Sequence, residues 1–132
     1  MGDLTKNFSR HEFACSCGCG SNNIAPGLVA MLQQVRDDIG QSVGITSGVR
    51  CRAYNASVGG VETSAHVPAD LGNGEQAHAT DIGIPNSAYR YKIMPALYRA
   101  GFKRIGIGNG FIHVDIDTRK PPDVLFDYYK QA

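Results

Sequence analysis

Between Pro26 and Ile39 the apolar residues Leu28, Leu32, Val35 and Ile39 recur at helical spacing, with Pro26 near the first turn and Gly40 as a stop signal, so a helix is predicted over 26–39. Val43 to Ser47 is short and rich in β-branched residues, as suits a strand running into a Ser47-Gly48 turn, and Arg50 follows that turn. Arg52 to Val58 predicts a short helix ended by Gly59-Gly60. No period survives from Gly60 to Gln76, where Pro68, Gly72, Asn73 and Gly74 act as breakers, and this segment reads as a loop. His78 to Ile84 alternates as a strand whose isoleucines enter the core while Asp81 faces the other way. Asn86 is placed to cap a helix through Ala100, with Ile93 and Leu97 on its apolar face and Pro95 kinking or dividing it. Its Tyr89, Tyr91 and Tyr98 read as packing residues. Lys103–Ile107 and Gly110–Asp117 read as two strands joined around Gly108-Asn109-Gly110. The tail from Pro121 to Ala132 offers Val124, Leu125, Tyr128 and Tyr129 as a final amphipathic turn or two. Asn7 to Asn23 has little apolar patterning beyond Phe8 and Phe13 and reads as a loop-rich N-terminal lap.

Composition narrows the picture. The 132 residues, 42% hydrophobic and 19% charged, suit one domain over 1–132 with one core and one active site. A formal charge of +1 gives no basic field of the kind that dominates nucleic-acid affinity, so nucleic acid is not an expected partner. Apolar runs stop well short of the roughly 20 residues a membrane span needs, and Met1 to Phe8 lacks the apolar core of a secretory signal. The expectation is synthesis in a cytoplasm without membrane association. Sixteen glycines and no Trp suit a loop-rich site.

Three groups carry candidate chemistry: Ser64-Ala65-His66, Ala79-Thr80-Asp81 and His113-Val114-Asp115. Two imidazoles and a carboxylate with a free fourth position are what catalytic zinc requires, because the open position holds a water whose pKa the metal lowers towards about 7. On a strand, His113, Asp115 and Asp117 share a face, which would bring carboxylates near a metal held by His113.

The segments Ser47-Gly48-Val49-Arg50, Asn55 to Gly60 (NASVGG), Ser64-Ala65-His66, Ala79-Thr80-Asp81-Ile82 and His113-Val114-Asp115 occur in the order of an SGxR turn, an SxHxxGxAxD element and a later His on a strand. This resembles the zinc D-Ala-D-Ala carboxypeptidase family, the M15 metallopeptidases, and within it the small phage-lysin and cell-wall branch whose last element is HVD. The likeness runs from about Phe8 to Asp117. It implies an α+β fold with helices packed on a small antiparallel sheet, Zn2+ held by His66, Asp81 and His113, and cleavage of D-amino-acid-containing peptides of peptidoglycan. The implied protein is a monomeric endolysin-type endopeptidase or carboxypeptidase that meets the bacterial wall after the membrane is breached. Rivals are a D,D-dipeptidase or resistance carboxypeptidase, and a non-catalytic metal-bearing wall-binding module.

Two departures from the family pattern shape the site. The family's first His and Asp usually enclose six residues, whereas His66 and Asp81 enclose fourteen, with Ala77 where the family has Gly. Val67 to Gln76 is read as containing an eight-residue insertion. The competing alignment pairs His78 with Asp81, but His78 lacks the preceding Ser and would face away from Asp81 on a strand. Many relatives carry an acid three residues before the last His, where this chain has Gly110. The general base is therefore assigned to Asp115, with Glu62, Asp70 and Glu75 in reserve. By resemblance, Arg50 points into the cleft to hold a substrate carboxylate or the oxyanion, and Ser64 supports substrate binding or the orientation of His66. His11 reads as a capping or surface residue, and Asp117 as a cap of the strand end. Cys15, Cys17, Cys19 and Cys51 form an even set that ties the lap to the SGVR turn by disulfide or metal, or else remains as free thiols.

Overall fold

The computed structural model of the chain describes residues 2–129. Helix α1, Pro26–Ile39, has Pro26 in its first turn and ends on Gly40 at φ 65°, a left-handed conformation that glycine adopts without strain. It buries Leu28, Val29, Leu32, Val35 and Ile39 and packs against α3, Ser87–Arg99. The Asn86 side chain accepts the Tyr89 N–H at the head of α3, as its sequence position predicts. Pro95 neither divides nor ends that helix. It lies on the exposed side, where water can satisfy the carbonyl its missing N–H leaves free.

Five strands form the main sheet. They are β1 (Ile45–Ser47), β4 (Ala79–Gly83), β5 (Arg104–Ile107), β6 (Phe111–Asp115) and β7 (Val124–Asp127), in the spatial order β1-β4-β6-β5-β7. The short helix α2, Arg52–Ser57, follows β1. Ile82, Ile105 and Ile112 of the sheet close the core against α1 and α3. The architecture is α+β, and no helix among the described residues is long and apolar enough to cross a membrane.

Four expectations change. The tail is strand, not helical turn. Val124 and Phe126 are half-buried while Leu125 and Asp127 are exposed, a period of two that adds β7 parallel to the free edge of β5 and makes the sheet mixed rather than purely antiparallel. Residues 130–132 of that tail lie outside the described residues. The segment after Gly60 is not all loop, because Ala69–Asp70 (β2) and Glu75–Gln76 (β3) pair as a small hairpin. Its turn is tied by the Asp70 carboxylate, which accepts the N–H groups of Gly72 and Gly74. Tyr91 and Tyr98 are solvent-exposed rather than packed, whereas the Tyr89 hydroxyl donates to the Ser42 carbonyl. Finally, the lap contributes to the core: Phe8 and Phe13 are fully buried, and a 3-10 helix, Arg10–Phe13, begins where the Glu12 carboxylate accepts the Ser9 N–H.

Candidate metal centre and its cleft

The antiparallel register of β4 and β6 sets Asp81 directly opposite His113, so two candidate ligands meet on one face as a cross-strand pair. The third comes from the loop after α2. His66 is fixed on every side: its Nδ1 donates to the Gly48 carbonyl at 2.7 Å, its backbone N–H to Ser64 Oγ at 3.2 Å, and its carbonyl accepts from the Arg50 N–H at 2.9 Å. Gly48 must be glycine for this, because a Cβ there would lie 2.8 Å from the Phe13 backbone.

The three side chains converge. His66 Nε2 lies 3.2 Å from Asp81 Oδ1 and 3.3 Å from His113 Nδ1, and the last two are 3.0 Å apart. Ligands at zinc–nitrogen distances span tetrahedral edges of roughly 3.3 Å. The outer nitrogens assign the tautomers, since His66 Nδ1–H is used on Gly48 and His113 Nε2–H on Asp115. Neutral rings therefore aim two lone pairs and a carboxylate oxygen at one point, an arrangement that repels itself unless a cation sits within it. Residues and geometry fit a divalent metal.

Charge around the trio favours the same conclusion. Burial lowers His66 below the usual imidazole value. Burial also acts to lower His113, but its bonds to Asp115 and Asp81 outweigh that and hold it above the usual value. Against its own burial, the two imidazoles hold the Asp81 carboxyl far below the carboxylate range. Asp81 thus stays ionised at the point where the two ring nitrogens converge.

Arg50 reaches the trio from the turn after β1. Its Nη2 donates to Asp81 Oδ2 at 3.2 Å, its Nε to Ser47 Oγ and its Nη1 to Asn55 Oδ1. Those bonds use three of five guanidinium N–H groups and leave two for a ligand. Asn55 is buried and also donates to the Val61 carbonyl. A Cβ on Gly60 would strike Asn55 Oδ1, which explains why asparagine and glycine occur together in the NASVGG segment. Ser64 orients the His66 backbone.

Asp115 does not occupy the place expected of a general base. Its Oδ2 accepts from His113 Nε2 at 2.7 Å, and its Oδ1 accepts from Arg104 Nε at 2.9 Å and the Asp117 N–H at 3.1 Å. It stands behind the imidazole, on the side away from the converging lone pairs, with its side chain 1% exposed. Such a carboxylate fixes the tautomer and orientation of a ligand. Asp117 has left the strand face to cap its end, accepting the N–H and guanidinium of Arg119. Of the reserve acids, Glu62 and Glu75 are exposed, and Asp70 ties the β2–β3 turn. Gly110 has φ 81° in the β5–β6 turn, where an acidic residue would be strained. His78 is buried outside the trio, its nearest charges being Asp117, Arg119 and Asp115.

The trio floors a cleft of about 520 Å³ lined by Arg50, Ser64, Arg104, Phe111, Lys120, Phe126 and Tyr128 among others. Phe126 and Tyr128 pack beside the His113 ring at centroid distances of 5.8 and 6.1 Å, and Arg104 lies over Phe126. Burial, then the Asp81 and Asp115 carboxylates, push the Tyr128 phenol up to about 12, so it keeps its proton at neutral pH. Sequence reading missed Asn55, Arg104, Phe126 and Tyr128 as site residues. The available signal for the last two was the alternation through Val124, Phe126 and Tyr128.

The family model described as Peptidase M15 matches residues 6–115, well over half of the chain. No curated protein matches it.

Proposed function

We propose, for a chain that belongs to the M15 peptidases and so to a family of metallopeptidases, that His66, Asp81 and His113 hold zinc and that the cleft cleaves D-amino-acid-containing peptides of bacterial peptidoglycan. The convergence of two lone-pair nitrogens and one carboxylate oxygen within 3.3 Å carries this reading. A zinc ion bound there supplies a Lewis acid for the scissile carbonyl and for a water molecule.

The chain's own residues supply positioning and charge. Asp115 holds His113 with its Nδ1 lone pair inward, and Gly48 does the same for His66 Nε2. Arg50 steadies Asp81 and presents its two remaining N–H groups to a substrate carboxylate or to the oxyanion. Tyr128 adds a protonated hydroxyl to the same cleft. Arg50 and Arg104 balance Asp81 and Asp115, so a divalent cation leaves the cleft positive and suited to peptides bearing free carboxylates. The protein is read as an endolysin-type monomer that reaches the wall once the membrane is breached.

Asp81 and Asp115 are the acids lining the cleft among the described residues, and both are engaged. That observation favours a second reading, a metal-bearing wall-binding module without turnover. Incubating purified peptidoglycan with the protein, with and without a chelator, and identifying new amino and carboxyl ends by mass spectrometry separates the cases. New internal ends mean an endopeptidase, and released terminal D-residues a carboxypeptidase. Wall binding with no new ends refutes the enzymatic reading.

A further inference from the structure

The run Cys15-Ser16-Cys17-Gly18-Cys19 alternates, and on an extended strand its sulfurs would stand about 7 Å apart along one face. They do not. Gly18 and Gly20 take φ values of 81° and 87° with nothing within 4 Å of a would-be Cβ, so glycine is needed there for chain direction rather than for space. The Gly18 N–H donates to the Cys15 carbonyl and the Cys15 N–H to the Ser21 carbonyl, closing the run on itself. Cys51, the residue that caps α2, completes the cluster from the other side.

All four sulfurs lie within 4.8 Å of one another. Cys17 Sγ is 3.4 Å from Cys15 Sγ and 3.6 Å from Cys51 Sγ. A tetrahedron of sulfurs around zinc at about 2.3 Å has edges of roughly 3.8 Å. Two sulfurs also accept backbone N–H groups, Cys15 from Cys51 and Cys51 from Tyr54, both at 3.4 Å. These bonds suit thiolates. We propose that Cys15, Cys17, Cys19 and Cys51 form a second metal site, a structural four-thiolate site for zinc that clamps the N-terminal lap to the turn carrying Arg50.

Four thiolates held this close repel one another, and a divalent ion among them offsets that repulsion.

The lap has a use for the clamp. Ser16 to Gly20 are all exposed, with no apolar side chain to hold them. Yet the Phe13 carbonyl accepts the Val49 N–H, and Phe13 backs directly onto Gly48, the residue whose carbonyl fixes His66. The four-sulfur site therefore supports the ligand trio from behind, and it stands whether or not the cleft is catalytic.

The test uses the full wild-type chain, purified under reducing conditions. Zinc per chain is measured by mass spectrometry, and an organomercurial titration follows zinc release with a chromogenic chelator. The expected result is two zinc ions per chain, one of them released in step with modification of four thiols. Cobalt substitution should give sulfur-to-cobalt charge-transfer bands that Cys19→Ser abolishes while one metal equivalent remains. His113→Ala should remove the other equivalent and keep those bands, so failure of the cleft site reads separately. Four thiols that titrate without releasing metal would overturn the proposal. So would thiols missing under denaturing, non-reducing conditions, which would mean disulfides.

Discussion

Replacing Asp115 by Asn is the sharpest probe of how the trio is held. Asp115 Oδ1 takes two donors, Arg104 Nε at 2.9 Å and the Asp117 N–H at 3.1 Å, while Oδ2 takes His113 Nε2–H at 2.7 Å. Asparagine has one carbonyl oxygen, and the two donors on the Arg104 side claim it. Its NH2 group then faces His113 Nε2, which must give up its proton and accept. The ring proton moves to Nδ1, the atom that faces His66 and Asp81, and blocks the lone pair meant for metal. Loss of such a supporting partner lowers metal affinity by about 10- to 100-fold, or about 1.4–2.8 kcal/mol. The enforced tautomer places Asn at the upper end. Asp115→Ala leaves the ring free to choose its tautomer, so it should bind metal more tightly than Asp115→Asn. Competition with a chromophoric chelator measures both, on the metal equivalent that His113→Ala lacks. A general base at Asp115 would behave otherwise, with affinity intact and kcat down by roughly two to four orders of magnitude. Unchanged metal affinity in Asp115→Asn would refute the positioning role.

Three further outcomes follow from the same geometry. His66→Ala should abolish metal binding in the cleft while His78→Ala keeps it, read by metal stoichiometry; the opposite pattern would show that the fourteen residues between His66 and Asp81 are aligned wrongly. Gly48→Ala puts a Cβ 2.8 Å from the Phe13 backbone, and overpacking of this kind costs about 1–3 kcal/mol. Denaturant unfolding should register that loss, along with weaker cleft metal binding as the Gly48 carbonyl shifts from His66. Deleting residues 68–75 removes eight of the fourteen and leaves six, the spacing usual in the family, and should leave metal content unchanged because β2 and β3 pair only with each other while His66 is held by Gly48 and Arg50.

The strands that carry Asp81 and His113 were legible because alternation alone decides which side chains share a face, and the glycine-rich turn after Ile107 sets the pairing of β6 with β5. The α1 helix was legible to its end residues for the same kind of reason, period plus Pro26 and Gly40. The tail was not. Val124 to Asp127 is too short for its alternation to outweigh the helical spacing of Val124, Leu125 and Tyr128, and what decides it is the open edge of β5, a property of the assembled sheet. Asp115 was placed on the correct face, but its partners there were not legible. Sharing a face with His113 brings it within reach of either ring nitrogen or of the cleft, and only the positions of Arg104 and Asp117 show that it grips Nε2 from behind. The lap's contribution was hidden because Phe8 and Phe13 have no period to announce them, although both end fully buried.

The unequal origin of the three ligands explains why the spacing between the first two tolerates so long an insertion. Asp81 and His113 come as a pair from one register, and no change outside β4 and β6 separates them. His66 is placed by the turn before it, through the Gly48 carbonyl and the Arg50 N–H, not by the chain that follows. After His66 the chain needs only to reach the start of β4, where the His78 N–H meets the Ala65 carbonyl and Ala77 bridges Ile24. Whatever lies between can leave as a hairpin that closes on itself, as β2 and β3 do with their own Asp70-bound turn. Sequence distance from His66 to Asp81 is thus free to vary. The distance from Gly48 to His66 is not, because Asn55 and Gly60 pack against each other inside it and Arg50 bonds to Ser47 before it and to the His66 carbonyl at its end.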